Sequence, residues 1–102
     1  PYSSSSDGSI DWAQWPYAAW GATVVIAGHS HVYERLLIDD FPYFVNGLGG
    51  GPIYAFDEPI AGSQVRFNDD YGAMLVEATP EIIIFQFITR RFEVIDTYSI
   101  SR

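Results

Sequence analysis

The sequence predicts a mixed α/β layered fold with α+β character, on three observations. Trp12, Trp15, Ala19 and Trp20 recur at three-to-four-residue spacing, the pattern of one helix face. Thr23 to Ala27 is an unbroken run of β-branched and small apolar residues closed by Gly28, which reads as a buried strand. From Tyr71 onward, strand-like segments follow one another with only short turns between them, the signature of an antiparallel meander.

Pro1 to Ser9 is a polar Ser/Gly stretch and reads as a flexible linker. Asp11 to Trp20 is predicted to be a short amphipathic helix. Ser9 or Asp11 would cap its start, and Gly21 would supply a left-handed C-terminal cap. Pro16 should kink this helix or begin a second turn, since it lacks the amide proton an interior position needs. The run Thr23 to Ala27 is expected to be covered on both faces. The polar residues after it then fall at the C-terminal end of a strand, where α/β folds build their sites. Val32 to Ile38 should form a strand, Asp39-Asp40 a turn, and Pro42 to Val45 the return strand. Asn46 to Pro52 is a glycine-rich loop, Ile53 to Phe56 is extended, and Asp57 to Asn68 is mostly connection. The meander comprises Tyr71 to Ala78, Ile82 to Thr89 and Phe92 to Ser99, with turns at Thr79-Pro80-Glu81 and Arg90-Arg91. Its middle strand is apolar on both faces, so a central, covered position is expected.

The chain has 102 residues, 48% of them hydrophobic and 17% aromatic, which is ample for a packed core. Its net charge is −8, and it contains no Lys. Nucleic acid binding depends on basic side chains neutralising phosphates, so no nucleic acid partner is expected. No apolar run approaches the roughly 20 residues of a membrane helix, and no membrane partner is expected. An anionic ligand would be repelled by this field unless concentrated positive charge, such as a metal ion, drew it in. The absence of Cys excludes disulfides and thiolate metal sites within the chain. The opening Pro-Tyr-Ser-Ser reads as mid-chain sequence, so residues 1–102 are expected to be the C-terminal segment of a single domain whose N-terminal half is missing.

The two histidines of the chain, His29 and His31, stand two apart in Gly28-His29-Ser30-His31. On a helix they would not share a face. In extended backbone they would, with Cα atoms about 6.6 Å apart at ~3.3 Å per residue. That spacing lets two imidazoles serve one metal, or one each of two metals ~3.5–4 Å apart. Two metals need roughly six protein ligands, more than this chain offers. Asp7, Asp39, Asp40, Asp57, Glu58, Asp69 and Asp70 are candidates by type alone.

Gly28 to Arg35, GHSHVYER, resembles the GHxHxYER signature of calcineurin-like metallophosphoesterases, above all the purple acid phosphatase-like branch. Tyr43 to Gly50, YFVNGLGG, is similar to that branch's strand and glycine loop. Pro1-Tyr2-Ser3-Ser4 looks like the tail of its HxPxYS block, and the likeness extends through the meander. The resemblance implies a β-sandwich flanked by helices. It implies that His29 and His31 each ligate one of two ions, Fe, Zn or Mn, and that the remaining ligands lie in the missing half. It implies a phosphate ester substrate attacked by a metal-activated hydroxide, and an extracytoplasmic or secreted setting.

Where many relatives carry a histidine near phosphate or the leaving group, this chain has Asp7. Asp7 is then either a catalytic general acid of raised pKa or a loop residue. Arg35 is expected to pair with Glu34 or a nearby acid, and Asn46-Gly47 to form a turn. The isolated chain is expected to be inactive, since most ligands are absent. The alternative is a degenerate or truncated, non-catalytic binding or structural module. Self-association through exposed strand edges is expected in either case.

Overall fold

The protein's structure, a computed structural model, describes residues 1–101. Seven strands form two sheets: β1 (Val25–Ala27), β2 (Tyr33–Ile38), β3 (Phe41–Asn46), β4 (Ser63–Phe67), β5 (Gly72–Ala78), β6 (Ile82–Thr89) and β7 (Val94–Ser101). The first sheet runs β1-β3-β2-β4, and the second is the meander β5-β6-β7. β1 is parallel to β3, and every other pairing is antiparallel.

The β2–β3 hairpin closes through Asp39 and Asp40, both at positive φ (52° and 60°). A two-residue hairpin turn needs left-handed backbone at both positions, which Asp tolerates better than most residues. β3 is buried on both faces from Pro42 to Val45. Phe44 points into the core shared with the second sheet, while Tyr43 and Val45 belong to a second cluster on the opposite face.

The shared core joins Tyr33, Phe44 and Leu48 to Ile83, Phe85 and Phe87. Phe87 stacks on Tyr33 with ring centroids 4.4 Å apart, and Phe85 meets Phe44 at 4.9 Å. β6 alternates strictly, with Ile83, Phe85, Phe87 and Thr89 buried. Polar bonds tie the sheets together as well. Asp96 on β7 accepts from Tyr33 Oη at 2.8 Å and from Arg35 Nε at 2.8 Å, and the guanidinium lies 4.6 Å over the Tyr98 ring.

The fold is therefore nearly all β, and the expectation of a mixed α/β sandwich flanked by helices is corrected. The only helical element among the described residues is the 3-10 turn Asp11–Ala13. Pro16 has no amide proton to offer the Trp12 carbonyl, so a helix cannot run through it. A single turn follows instead, with Trp20 N–H donating to Pro16 O at 3.1 Å. It closes as a Schellman motif, Gly21 N–H to Ala18 O and Ala22 N–H to Tyr17 O, with Gly21 at φ 87°. The tryptophan spacing does not mark a buried stripe, because Trp12, Trp15 and Trp20 are 74%, 49% and 65% exposed. The outer face of the first sheet is covered by irregular segments, through Tyr2, Tyr17, Tyr54, Phe56 and Ile60.

Other elements differ in detail. β1 is an edge strand with Ile26 half exposed, not a strand covered on both faces. β4 lies where connecting loop was expected. Its alternation of Ser63, Val65 and Phe67 with Gln64 and Arg66 sets Val65 and Phe67 against the core. Nor is the Ser-rich start a linker, for Ser3, Ser4 and Ser5 are all buried.

Candidate functional site

The loop from Gly28 to Val32 leaves edge strand β1 and enters β2 through two successive tight turns. Ser30 N–H donates to Gly28 O at 2.9 Å, and Val32 N–H to Ser30 O at 2.8 Å. These are three-residue γ-turns centred on His29 and His31. His29 has φ 71°, an uncommon conformation for a non-glycine residue and one that concentrates at functional sites. The extended backbone expected between the histidines is not formed.

Asp7 reaches this loop because the N-terminal segment is pinned in place. Ser4 N–H donates to Glu34 Oε1 at 2.7 Å, and Ser63 Oγ donates to Glu34 Oε2 at 2.5 Å. Asp57 N–H donates to Ser4 O, and Ser6 N–H to Ala55 O, both at 2.8 Å. Glu34 is fully buried, and its carboxyl oxygens are met by these donors rather than by Arg35. Arg35 faces the other way and pairs with Asp96. From the anchored Ser3–Ser5 stretch the chain turns at Gly8 (φ 78°) and presents Asp7 to the loop. Asp7 Oδ2 lies 2.9 Å from His29 Nε2 and accepts from Ser30 Oγ at 3.4 Å.

His31 has different surroundings. Its Nδ1 stands 2.7 Å from Pro52 O, and its ring stacks on Tyr54 at 4.3 Å. A carbonyl can only accept, so Nδ1 carries a proton, and the tautomer this bond selects has its lone pair at Nε2. Metal-ligating histidines are commonly held this way, with the second nitrogen donating to a carbonyl. Two glycines let the Asn46–Pro52 loop approach so closely. A Cβ on Gly47 would collide with the Ser30 carbonyl, and one on Gly51 would lie 2.6 Å from His31 Cε1. Asn46-Gly47 is thus the wall of the histidine loop rather than a free-standing turn, and Gly47 N–H donates to Val32 O at 3.0 Å.

A cavity of about 250 Å³ opens beside His29, bordered by Tyr2, Ser3, Gly8, Ile10 and Ser30; His31 does not line it. Among the described residues, no three His, Cys, Asp or Glu side chains gather where they could hold a metal ion. Asp39 and Asp40 sit in the hairpin turn, and Asp70 is engaged by Arg90 at 2.7 Å. The sequence signalled the histidines and Asp7. It did not signal Pro52 and Tyr54 as the groups that orient His31, although the glycines beside them were a trace of that close approach.

No family model matches the chain, and no curated protein matches it. A solved structure described as "GAP50 the anchor in the inner membrane complex of Plasmodium" superposes with a TM-score of 0.86 at 19% identity, over 98% of this chain. The chain spans 33% of that structure's length. At that identity the likeness establishes the fold. The membership in the calcineurin-like metallophosphoesterases that the motifs suggested is corrected accordingly: no comparison supports it, and the matched structure is described as an anchor.

Proposed function

We propose that His29 and His31 serve as metal ligands in a centre that hydrolyses phosphate esters, with this chain forming one wall of it. The observation that carries the reading is His31. Its ring is stacked, its Nδ1 is committed to Pro52 O, and its Nε2 is left with the lone pair a metal would take. His29 and Asp7 add an imidazole and a carboxylate whose polar atoms lie 2.9 Å apart. This is a direct N–H···O contact; a metal ion replacing that proton at ~2.0–2.1 Å from each atom would find them on neighbouring corners of an octahedron, about 2.9 Å apart. These residues supply part of a donor set for Fe, Zn or Mn, and the rest would come from outside the chain. When bound, such ions supply an activated hydroxide and charge stabilisation for phosphate oxygens. A chain of net charge −8 without Lys has few other means of holding a phosphate.

The test uses the chain in its full-length context, with metal content and p-nitrophenyl phosphate hydrolysis as readouts. His31→Ala and His29→Ala should each lower bound metal and reduce the rate by at least ~100-fold. Unchanged metal and rate in both variants would sink the proposal.

A second reading, a non-catalytic structural module, is favoured by the described anchor role of the GAP50 structure that shares this fold. It expects no metal in the purified protein and no effect of either histidine substitution on partner binding.

A further inference from the structure

The segment from Trp15 to Tyr17 and the β2–β3 hairpin enclose a second cavity, of about 300 Å³, on the outer face of the first sheet. Five aromatic residues line it, namely Tyr2, Trp15, Tyr17, Phe41 and Tyr43, together with Asp39 of the hairpin turn. The rings meet one another at angles rather than in a flat stack. Tyr2 and Tyr43 are edge-on at 4.9 Å, Phe41 and Tyr43 at 5.2 Å, and Tyr17 and Tyr43 at 6.2 Å. Trp15 stands 6.0 Å from Tyr17. The Tyr17 hydroxyl is spent on Ala13 O at 2.6 Å, which leaves its ring as the feature it offers.

A small volume bordered by several aromatic residues is the kind of surrounding that holds a weakly hydrated cation. Asp39 places a full negative charge at the rim, and the chain as a whole carries −8. The Tyr43 phenol is pushed above its ordinary pKa by burial first, and then by Tyr2, Tyr17 and Asp39, so the carboxylate's field reaches the cavity. An anion or a polyanion is excluded by the same charges. A neutral apolar ligand would leave the carboxylate without use.

We propose that this cavity binds a small quaternary ammonium group, with the aromatic faces around its methyl groups and Asp39 as its counter-charge. The volume sits at the lower end of the range for ligand pockets, about 300–1,000 Å³, and suits a head group rather than a large molecule. The site shares Tyr2 with the cavity beside His29 but contains no residue of the histidine loop, and it does not depend on metal binding there.

Titration calorimetry with choline on the native protein tests this, alongside 3,3-dimethylbutan-1-ol, which has the same shape without the charge. Choline should bind in the millimolar range and the alcohol at least ~10-fold more weakly, the difference several π faces and one carboxylate produce. Asp39→Asn should weaken choline about 5-fold, and Trp15→Leu by a similar factor. Asn tolerates the positive φ at position 39, so this variant keeps the hairpin even where Trp15→Leu does not fold. Sedimentation with phosphatidylcholine vesicles, competed by free choline, would assign the group to a lipid; choline binding without sedimentation would assign it to a soluble molecule. Equal binding of choline and the alcohol, or choline affinity unmoved by Asp39→Asn, would overturn the proposal.

Discussion

Gly51 lies flat against the imidazole of His31, so close that a single added methyl would stand 2.6 Å from Cε1 and 2.9 Å from Nδ1. The ring is clamped between this backbone and Tyr54, with Pro52 O holding Nδ1. Gly51→Ala must therefore swing the imidazole out of its stack or push the loop away. If His31 is a ligand as proposed, metal affinity should fall about 10-fold, the usual effect of losing a group that orients a ligand. NMR of the ring nitrogens reads the change directly, because loss of the Pro52 bond releases the fixed tautomer. An unchanged tautomer in Gly51→Ala would show that Pro52 alone positions the ring.

Glu34 is fully buried, and its oxygens take up Ser4 N–H and Ser63 Oγ. Glu34→Ala leaves both donors without their acceptor and frees the segment that carries Asp7. Orphaning a buried donor costs about 1–3 kcal/mol, and the Ser63 hydroxyl, only partly buried, adds less, so a total of ~2–4 kcal/mol is expected. In a domain of this size that lowers the melting temperature by roughly 10–25 °C, measurable by calorimetry. A shift of only a degree or two would mean that the Ser3–Ser5 segment is held by its backbone bonds alone.

These two residues also show what the sequence conveyed and what it withheld. The GHSHVYER run located the histidine loop, because ligand-type residues after a strand are a local pattern. Its Tyr, Glu and Arg each make a contact about 30 or 60 residues away: Glu34 with Ser4, Tyr33 and Arg35 with Asp96. Such partners are set by the packing of one sheet on the other and by the docking of the N-terminal segment, which no local window contains. The error in fold class has a similar source. Trp12, Trp15 and Trp20 have helical spacing, but Pro16 removes the bonds a helix would need, and the rings face solvent. Periodicity reports burial only when something is there to bury the face. The meander was the most legible part, since adjacent strands joined by short turns are themselves local, and Thr79 marks one of those turns by accepting from Ile82 N–H. β4 escaped because its five residues alternate too briefly to stand out from the loop around them.

The Asp7–His29 pair should behave in the opposite way to Glu34. The imidazole is 70% exposed and the carboxylate 34%, so solvent screens their attraction. Asp7→Asn should change stability by less than ~0.5 kcal/mol. If Asp7 is a ligand as proposed, the same substitution should weaken metal binding by at least ~10-fold in the full-length protein. Urea denaturation and metal titration on one preparation separate the two effects. A large stability loss with unaltered metal binding would make Asp7 a structural residue only.

Tyr33 sets the alkaline limit of the fold. Its phenol is held well above its ordinary pKa of 10.0, first by burial and then by the hydrogen bond to Asp96 and that carboxylate's charge, with Arg35 opposing. Above pH 10.0 the unfolded chain gives up this proton while the folded chain keeps it. The unfolded state is thereby favoured, so stability is fully present below that pH and is lost as pH rises toward the folded value. Tyr33→Phe removes both the hydrogen bond and the titration. At neutral pH it should cost about 1.5–3 kcal/mol, as expected for a bond to a charged acceptor. Above pH 10.0 it should lose stability less steeply than the wild type, leaving the smaller contribution of Tyr43, whose phenol is also raised by burial and its neighbours. Urea midpoints measured from pH 8 to 11 give both slopes. Parallel curves for the two proteins would show that Tyr33 ionises no later in the folded chain than in the unfolded one.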